Sequence, residues 1–488
     1  MFNDHRPYGS ETFAILISSL CWYFGNGLTG NYWWLVWIAP YPLLSYSLFH
    51  SGRKPFLVSF AACLVGRLSW FRYLVSVAGV LPAILFTIVL ALVYAVIITW
   101  SARLVKMYGK AWTVLAFPVL FTAFEFLVSR ISADGTAGSL AYSQSNALLV
   151  IQVASLTGII GISFLISLLP SAAAVVPWLK YHRRKYLMAL LPALVLILGV
   201  LLFSWQRMSA VNDRTLRVGL ISLDEQLHDM SKKPDSAKAM QTTAQYLDAV
   251  SKSAAEGAKL VLLPERAIFV DSANEKAIMS SFGDLARVKK ILIVSGYTNQ
   301  KAPIERNSAF VVNEEGKLVA DYDKIHLVQG LERRFTPGGG LGLFEIGELT
   351  TGVPICKDLD FPDYISKYGK EHAVLLTVPA WDFERDDWLH SRMAILRSVE
   401  NGFSMARAAR EGRLTINDQF GRVLQEATTS KGLAATLVGE VPVEKISTLY
   451  DRYGNWFGWL NAVLALFFIA MIGNGLRTRK IAVPKRED

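Results

Sequence analysis

Three residues in this 488-residue chain have the types and surroundings that nucleophilic acyl chemistry needs. Cys356 lies in the stretch TGVPICKDLDFP, residues 351–362, which reads as a short apolar strand carried by Val353 and Ile355, a sharp turn, and a helix opening near Pro362. Proline suits a first helical position because the N–H it lacks would be unpaired there in any case. A thiol at such a junction lies near orphan backbone N–H groups and the positive end of a helix dipole, so thiolate is expected over thiol. Glu265 follows an apolar run ending at Pro264, and Lys324 follows Val319 to Asp323. The carboxylate can take the thiol proton and return it to a leaving group. The ammonium can stabilise an oxyanion, with a backbone N–H after Cys356 as second donor. Each residue also has a structural reading: Cys356 as a small buried apolar group, Glu265 as a cap, Lys324 as a solvated strand end. Type and spacing alone leave both readings open.

The elements that must position the trio alternate in kind. Leu216–Ser222, Lys259–Leu263, Ile291–Ser295, Asn307–Asn313 and Lys317–Asp321 read as strands, the last two joined through Glu314-Glu315-Gly316 as a hairpin. Ala237–Glu256 and Glu275–Lys290 carry helical periodicity. Beyond Cys356 come a strand Ala373–Val378, a helix Asp386–Glu400, and strands Phe403–Ala408 and Arg413–Asn417. Such alternation argues for a layered α/β domain, in which strand ends gather on one edge and form sites. No internal repeat, low-complexity tract or phosphate-binding loop is present; Gly338-Gly339-Gly340 reads as a flexible turn.

The rest of the chain is of another character. Fifty-two per cent of the residues are hydrophobic and the mean hydropathy is +0.33, too apolar for an ordinary soluble enzyme. Seven apolar segments, near 11–28, 31–49, 55–76, 79–101, 111–130, 146–178 and 185–205, precede the α/β block, and an eighth follows near 455–475. Most have about the length that crosses a hydrocarbon core of roughly 30 Å. The first is read as a retained span, since no small-residue cleavage site follows it. The formal charge of +10 lies largely in short loops between these runs, with no basic patch interleaved with aromatics, so nucleic acid is excluded as a partner. With the N-terminus in the cytoplasm and 146–178 as one span, all the basic clusters fall inside: Arg53 and Lys54; Arg103, Lys106 and Lys110; Lys180 to Lys185; Arg477, Arg479 and Lys480. The loop from Ile131 to Ser145 has no Lys or Arg. Residues 206–454 then lie in a periplasm. Splitting 146–178 in two would put the basic loop Lys180–Lys185 outside. Cys21 and Cys63 sit in apolar runs, which excludes a disulfide framework or a paired-cysteine metal site. Glu125 and Arg67 are the charges placed within spans, Glu125 about one turn from Arg130.

Several motifs carry a resemblance. LLPE at 262–265, YDKIHL at 322–327, VPICKDLDFP at 353–362, VPAWD at 378–382 and HSRMAILRSVENG at 390–402 are similar to the nitrilase, or carbon–nitrogen hydrolase, superfamily. FEFLVSR at 124–130, GSLAYSQSNALLVIQVA at 138–154 and GIIGISFL at 158–165, together with seven spans before the domain and one after it, resemble its membrane branch, the apolipoprotein N-acyltransferases. The resemblance covers nearly the whole chain. It implies an αββα sandwich (residues 211–452) between a helical membrane domain (1–210) and a final span with a cytoplasmic tail (453–488), about eight transmembrane helices in all. It implies Cys356 as acyl-accepting nucleophile, Glu265 as general base and Lys324 as oxyanion-stabilising residue. Glu332, eight residues past Lys324, matches a glutamate that holds the lysine. Asp358 stands where the family typically has Glu, and Trp381 matches a residue close to the nucleophile.

The implied reaction is transfer of an acyl chain from a membrane phospholipid, through a cysteine thioester, to the N-terminal amine of a diacylglyceryl-cysteine lipoprotein. No cofactor or metal is expected. The setting implied is the bacterial inner membrane, with both termini cytoplasmic and the protein a monomer. Departures from the family are Leu263 for a tryptophan, Lys357-Asp358 for Tyr-Glu, and Gln329 to Arg334 for Pro-Phe-Gly-Glu-Tyr. The connection from Glu332 to Cys356 is also short, where the family carries a mobile apolar lid. A membrane-tethered amidase or acyltransferase with another amine or amide substrate shares the same trio. A non-enzymatic membrane protein and a Cys-His hydrolase using His326 or His390 are further readings; a structural imidazole is favoured for both histidines.

Overall fold

The computed structural model describes residues 10–26, 28–182, 186–210, 213–223, 236–301, 303–430 and 432–481. Arg183, Arg184 and Lys185 of the expected basic loop, and the N-terminal nine residues, lie outside them. The chain forms two compact units. One comprises Met1–Ser132, Gly138–Gln206 and Asn455–Asp488; the other comprises Ala133–Ala137 and Arg207–Gly454.

The first unit is helical. Among the described residues, five helices are long and apolar enough to cross a bilayer: Val80–Tyr108, Ala111–Ile131, Ile159–Tyr181, Leu190–Met208 and Trp456–Asn474. A sixth results if Lys54–Gly66 and Leu68–Ala78, bent by 58° at Arg67, form one broken span. By length and composition alone, the expected count of about eight is not confirmed. Glu11–Gly25 is only 15 residues long. The stretch 31–49 breaks into a 3-10 turn, Trp33–Trp37, and a ten-residue helix, Pro40–Phe49. Pro40 and Pro42 lack the N–H that a continuous helix would use, so a new helix starts there instead. The long stretch 146–178 resolves into a short apolar piece, Leu148–Thr157, and one 23-residue helix after Gly158. Aromatic rings fill the core, with Tyr94 stacked on Trp22 and Phe121. Leu81, Leu85, Leu202, Leu466 and Phe467 stay exposed on the outer faces, as suits helices surrounded by hydrocarbon.

Both charges singled out within apolar segments are buried. Glu125 accepts from the Leu140 N–H at 2.7 Å, from Ser139 Oγ at 3.2 Å and from Ser163 Oγ, so it pins the turn Leu140–Gln144. Arg67 stands at the helix break with its guanidinium over the rings of Phe86 and Tyr94.

The second unit is a sandwich of two sheets. The first holds β1 (Thr215–Ser222), β2 (Leu260–Leu262), β3 (Ile268–Val270), β4 (Leu292–Asn299), β5 (Arg306–Val312) and β6 (Leu318–Asp323). The second holds β7 (Leu343–Ile346), β8 (Leu349–Gly352), β9 (Leu375–Trp381), β10 (Ser404–Arg410), β11 (Arg413–Asn417) and β12 (Val423–Thr428). The last strand, β13 (Ala435–Pro442), returns to the first sheet beside β1. The order is β13-β1-β2-β4-β5-β6 in one sheet, with β3 also on β4, and β12-β11-β10-β9-β8-β7 in the other. β1, β2 and β4 run parallel, as do β8, β9 and β10.

Side-chain alternation builds the layers. Val218, Leu220, Leu260, Leu262, Val294 and Val311 point into the core shared with Leu376, Met405 and Leu414 of the other sheet. Their neighbours Ile221, Val261, Ile293 and Phe310 point the other way, onto Tyr246, Val250, Ile278 and Phe282 of the helices Ser236–Ala255 and Glu275–Lys289. On the far side, helix Asp387–Asn401 packs over β10 and β11 and against helix Pro362–Lys370. The arrangement is the αββα sandwich that the family resemblance implied. One local expectation fails. Val353 and Ile355 are buried but lie beyond β8, which ends at Gly352. Pro354 has no N–H to continue a ladder.

Candidate active site

Each of the three sequence-singled residues sits just past a strand of this sandwich. Glu265 follows β2 and its N–H donates to the Ala380 carbonyl of β9 at 3.2 Å, fastening it across the sheets. Lys324 follows β6 and its backbone bonds to Asn307 (2.8 Å) and Gly338 (2.9 Å). A Cβ on Gly338 would meet the Asp323 carbonyl oxygen at 2.2 Å, so this glycine is a close backbone contact against the Lys324 segment, not the flexible turn expected. Cys356 opens the 3-10 turn Cys356–Asp360 with φ of +42°. A non-glycine residue is held in that region only where its surroundings over-determine it, and such residues cluster at functional sites.

Glu265, Lys324 and Glu332 are brought together in a fully buried cluster. Lys324 Nζ lies 2.7 Å from Glu265 Oε1 and 3.0 Å from Glu332 Oε2. Asn307 Nδ2 donates to both carboxylates, at 2.5 Å and 2.6 Å, and the Val328 N–H donates to Glu332 at 2.7 Å. Both bonds to Glu265 fall on Oε1, so Oε2 is the oxygen left to take a proton. Asn307 was not singled out from sequence. Its only signal is a polar side chain opening the apolar strand β5.

Electrostatics assign the protonation states. Burial alone would lower the Lys324 pKa, but the charges of Glu265 and Glu332 outweigh it and hold the ammonium well above its ordinary value. Burial would raise the Glu332 pKa; Lys324 and its hydrogen bonds outweigh that and keep it lowered. The Cys356 thiol goes the other way from the sequence expectation. Burial and then the Glu265 charge raise it well above its ordinary value, against the smaller opposing effect of Lys324. The resting nucleophile is thiol, because desolvation and a carboxylate outweigh the helix end. Its S–H donates to the Trp381 carbonyl at 3.5 Å.

The remaining candidates hold the site's frame. Asp358 accepts from Tyr322 OH (2.7 Å), the Ile355 N–H (3.0 Å), and both the backbone N–H and Nδ1 of His326 (2.9 Å each). It ties the turn after Cys356 to the strand end that carries Lys324. His326 stacks on Phe361 with centroids 3.8 Å apart. Lys357 is held by Asp134 at 2.6 Å and Asp360 at 3.7 Å. Asp382, next to Trp381, is paired with Arg407, and His390 lies 3.2 Å from Asp386 and 3.8 Å from Asp382. Burial would lower the His390 pKa, but Asp386, Asp382 and Asp360 raise it to about 9. Both imidazoles are thus engaged by carboxylates, which disfavours a Cys-His pairing. Among the described residues, no group of three or more His, Cys, Asp or Glu could hold a metal ion.

The double sheet with these strand-end residues defines the second unit as a carbon–nitrogen hydrolase domain: residues 217–448 match the family described as Carbon-nitrogen hydrolase. Residues 21–174 match the Apolipoprotein N-acyltransferase N-terminal domain. The apolipoprotein N-acyltransferase of Geobacter metallireducens is 28% identical over 471 residues, covering 87% of this chain and 88% of that one. The enzyme of the same name from Brucella melitensis is 25% identical, covering 79% and 77%. Among solved structures, an amidase from Nesterenkonia sp. aligns at 22% identity with a TM-score of 0.41, over 48% of this chain and 94% of its own. The chain belongs to the apolipoprotein N-acyltransferase family of the nitrilase superfamily.

Proposed function

We propose that the chain transfers an acyl chain from a membrane phospholipid to the N-terminal amine of a diacylated lipoprotein, with Cys356 as the acyl carrier. One observation supports the roles best: a single buried lysine shared by two carboxylates. Glu332 offsets the Lys324 charge. Glu265 is then free to act as a base without stripping Lys324 of its ammonium.

In the first half-reaction Glu265 takes the Cys356 proton as sulfur attacks the ester carbonyl. Negative charge gathers on the carbonyl oxygen, and the Lys324 ammonium and a backbone N–H of the following turn stabilise it. The C–O bond then breaks, Glu265 returns the proton to the departing alkoxide, and a lysophospholipid leaves behind a thioester. In the second half, a neutral amine attacks the thioester carbonyl and gives a proton to Glu265. The C–S bond breaks and the sulfur is reprotonated, leaving an amide. Water must be kept from the thioester, or transfer becomes hydrolysis. Asp358 and Trp381 position the nucleophile turn, and Glu332 positions Lys324. The apolar helices anchor the protein in the bacterial inner membrane as a monomer. Residues 207–454 face the periplasm, and about eight membrane-embedded segments include the short and broken helices.

The test is intact mass of the detergent-solubilised protein after addition of phospholipid. The expected result is an acyl-sized gain on wild type, removed by hydroxylamine, passed to a diacylated lipopeptide, and absent in Cys356→Ser. No gain with any phospholipid, alongside turnover of small amides, would sink the lipid reading in favour of an amidase.

A further inference from the structure

Beside the Glu265 turn, three guanidiniums and two aromatic rings alternate in one continuous ladder. Arg334 lies 4.8 Å from the centroid of Phe335, and Arg266 lies 5.1 Å from the centroid of the same ring. Arg266 is also 5.3 Å from the Trp381 ring, and Arg410 is 4.9 Å from it. The ladder begins at the partly exposed Arg334 and runs inward through Arg266 and Arg410, which are 4% and 3% exposed. Its inner ring belongs to Trp381, the residue whose carbonyl receives the Cys356 thiol.

The ladder is built, not incidental. Arg266 directly follows Glu265 and holds φ of +54°, a strained conformation that aims its side chain. Its Nε donates to Thr298 Oγ1 at 3.1 Å, and Arg410 Nη1 donates to the Arg266 carbonyl at 3.3 Å. Gly296 lets this turn approach β4, since a Cβ there would meet the Pro264 carbonyl oxygen at 2.4 Å. The charges are of one sign. Arg334 and Arg410 both act on Arg266 as like charges, opposed by Glu265 and Glu332. Arg334 pairs with Glu305 at 3.8 Å. Burial, followed by the like charge of Arg334, lowers the Arg266 pKa to about 10. Guanidiniums gathered this way suit an anion with several oxygens, above all a phosphate.

We infer that Arg266, Arg334 and Arg410, framed by Phe335 and Trp381, form the subsite for the phosphodiester of the acyl donor. This rests on the phospholipid reading above. In a glycerophospholipid the phosphate is joined to the scissile ester through a short glycerol backbone, and the ladder contains both the residue next to the base, Arg266, and the sulfur's carbonyl partner, Trp381. The acceptor carries no phosphate on its diacylglyceryl group, and its ammonium would be repelled here. Like charge favours the neutral, nucleophilic amine instead.

The experiment measures thioester formation on Cys356 in micelles with two donors of equal chains, a phosphatidylglycerol and a neutral diacylglycerol. Wild type is expected to prefer the phospholipid at least about tenfold, the scale of a charged hydrogen bond. Arg334→Gln and Arg266→Gln should each cut that preference by about tenfold, through KM, with Arg334→Lys retaining part of it. Arg334→Gln alters a partly exposed side chain, so it reports even if the buried Arg266 variant fails to fold. Inorganic phosphate should slow the phospholipid reaction and spare the diacylglycerol one. Equal wild-type rates for the two lipids overturn the subsite, as does a preference unchanged in the Arg334→Gln variant. Phosphate inhibition of both donors alike would assign the cluster to free phosphate. No thioester from either lipid would remove the acyl-transfer reading itself.

Discussion

At the scale of residues, the site depends on where protons rest. The raised pKa of Cys356 means that its thiolate fraction grows with pH across the neutral range. Alkylation by iodoacetamide, followed at the Cys356 peptide by mass spectrometry, should therefore climb through pH 9 with no plateau. Glu265→Gln should shift that rise to lower pH, because removing the carboxylate's charge removes one of the causes holding the thiol up, while abolishing acyl transfer. Lys324 is the opposite case, a charge kept by its partners. Lys324→Met strands two buried carboxylates and should cost about 3–5 kcal/mol in a denaturant titration. Adding Glu332→Gln should recover part of the loss, and thioester formation should stay absent in both. Glu265, Lys324 and Cys356 stood out as candidates in the sequence because each follows a run that reads as a strand. The thiol's protonation state was not, since it is set by burial and by a carboxylate 91 residues away in the chain. Asn307 and the arginine ladder stayed hidden for the same reason: their meaning is in contacts between strands distant in sequence.

At the scale of elements, short apolar runs made β1, β2, β4 and β5 readable, and their flanking helices followed from helical spacing. The four-residue strands β7 and β8 escaped, as they are too short to show a period. The broken helix at Arg67 escaped too, because no proline marks the bend. Close backbone contacts are the other feature that only structure displays. The Pro264–Arg266 turn rests on Gly296 with no room for a methyl group. Gly296→Ala should displace Glu265 relative to Lys324. The expected outcome is a loss of roughly 1–3 kcal/mol of stability from overpacking and, in the fraction that folds, a fall in thioester formation larger than the fall in Cys356 alkylation. A variant that acylates at the wild-type rate would show the turn to be more tolerant than its packing implies.

At the scale of the whole molecule, the chain joins an apolar helical unit to a polar α/β one, and the basic loops carry the proposed orientation. Lys289, exposed on the second unit, serves as a reporter. Lys289→Cys in intact spheroplasts should react with a membrane-impermeant maleimide, whereas a cysteine at Lys110, in a basic loop, should react only after lysis. Reversed labelling would invert the topology and place the acceptor amine on the wrong side. The proposed periplasmic position also gives the Cys356 environment a second meaning. Cys21 and Cys63 are buried in the helical unit and no cysteine pairs with another among the described residues, so nothing stands ready to rescue Cys356 from peroxide as a disulfide. Peroxide attacks thiolate far faster than thiol. A sulfur stored in its protonated form, and ionised only as an acyl ester arrives, is a catalyst with a long shelf life in an oxidising compartment.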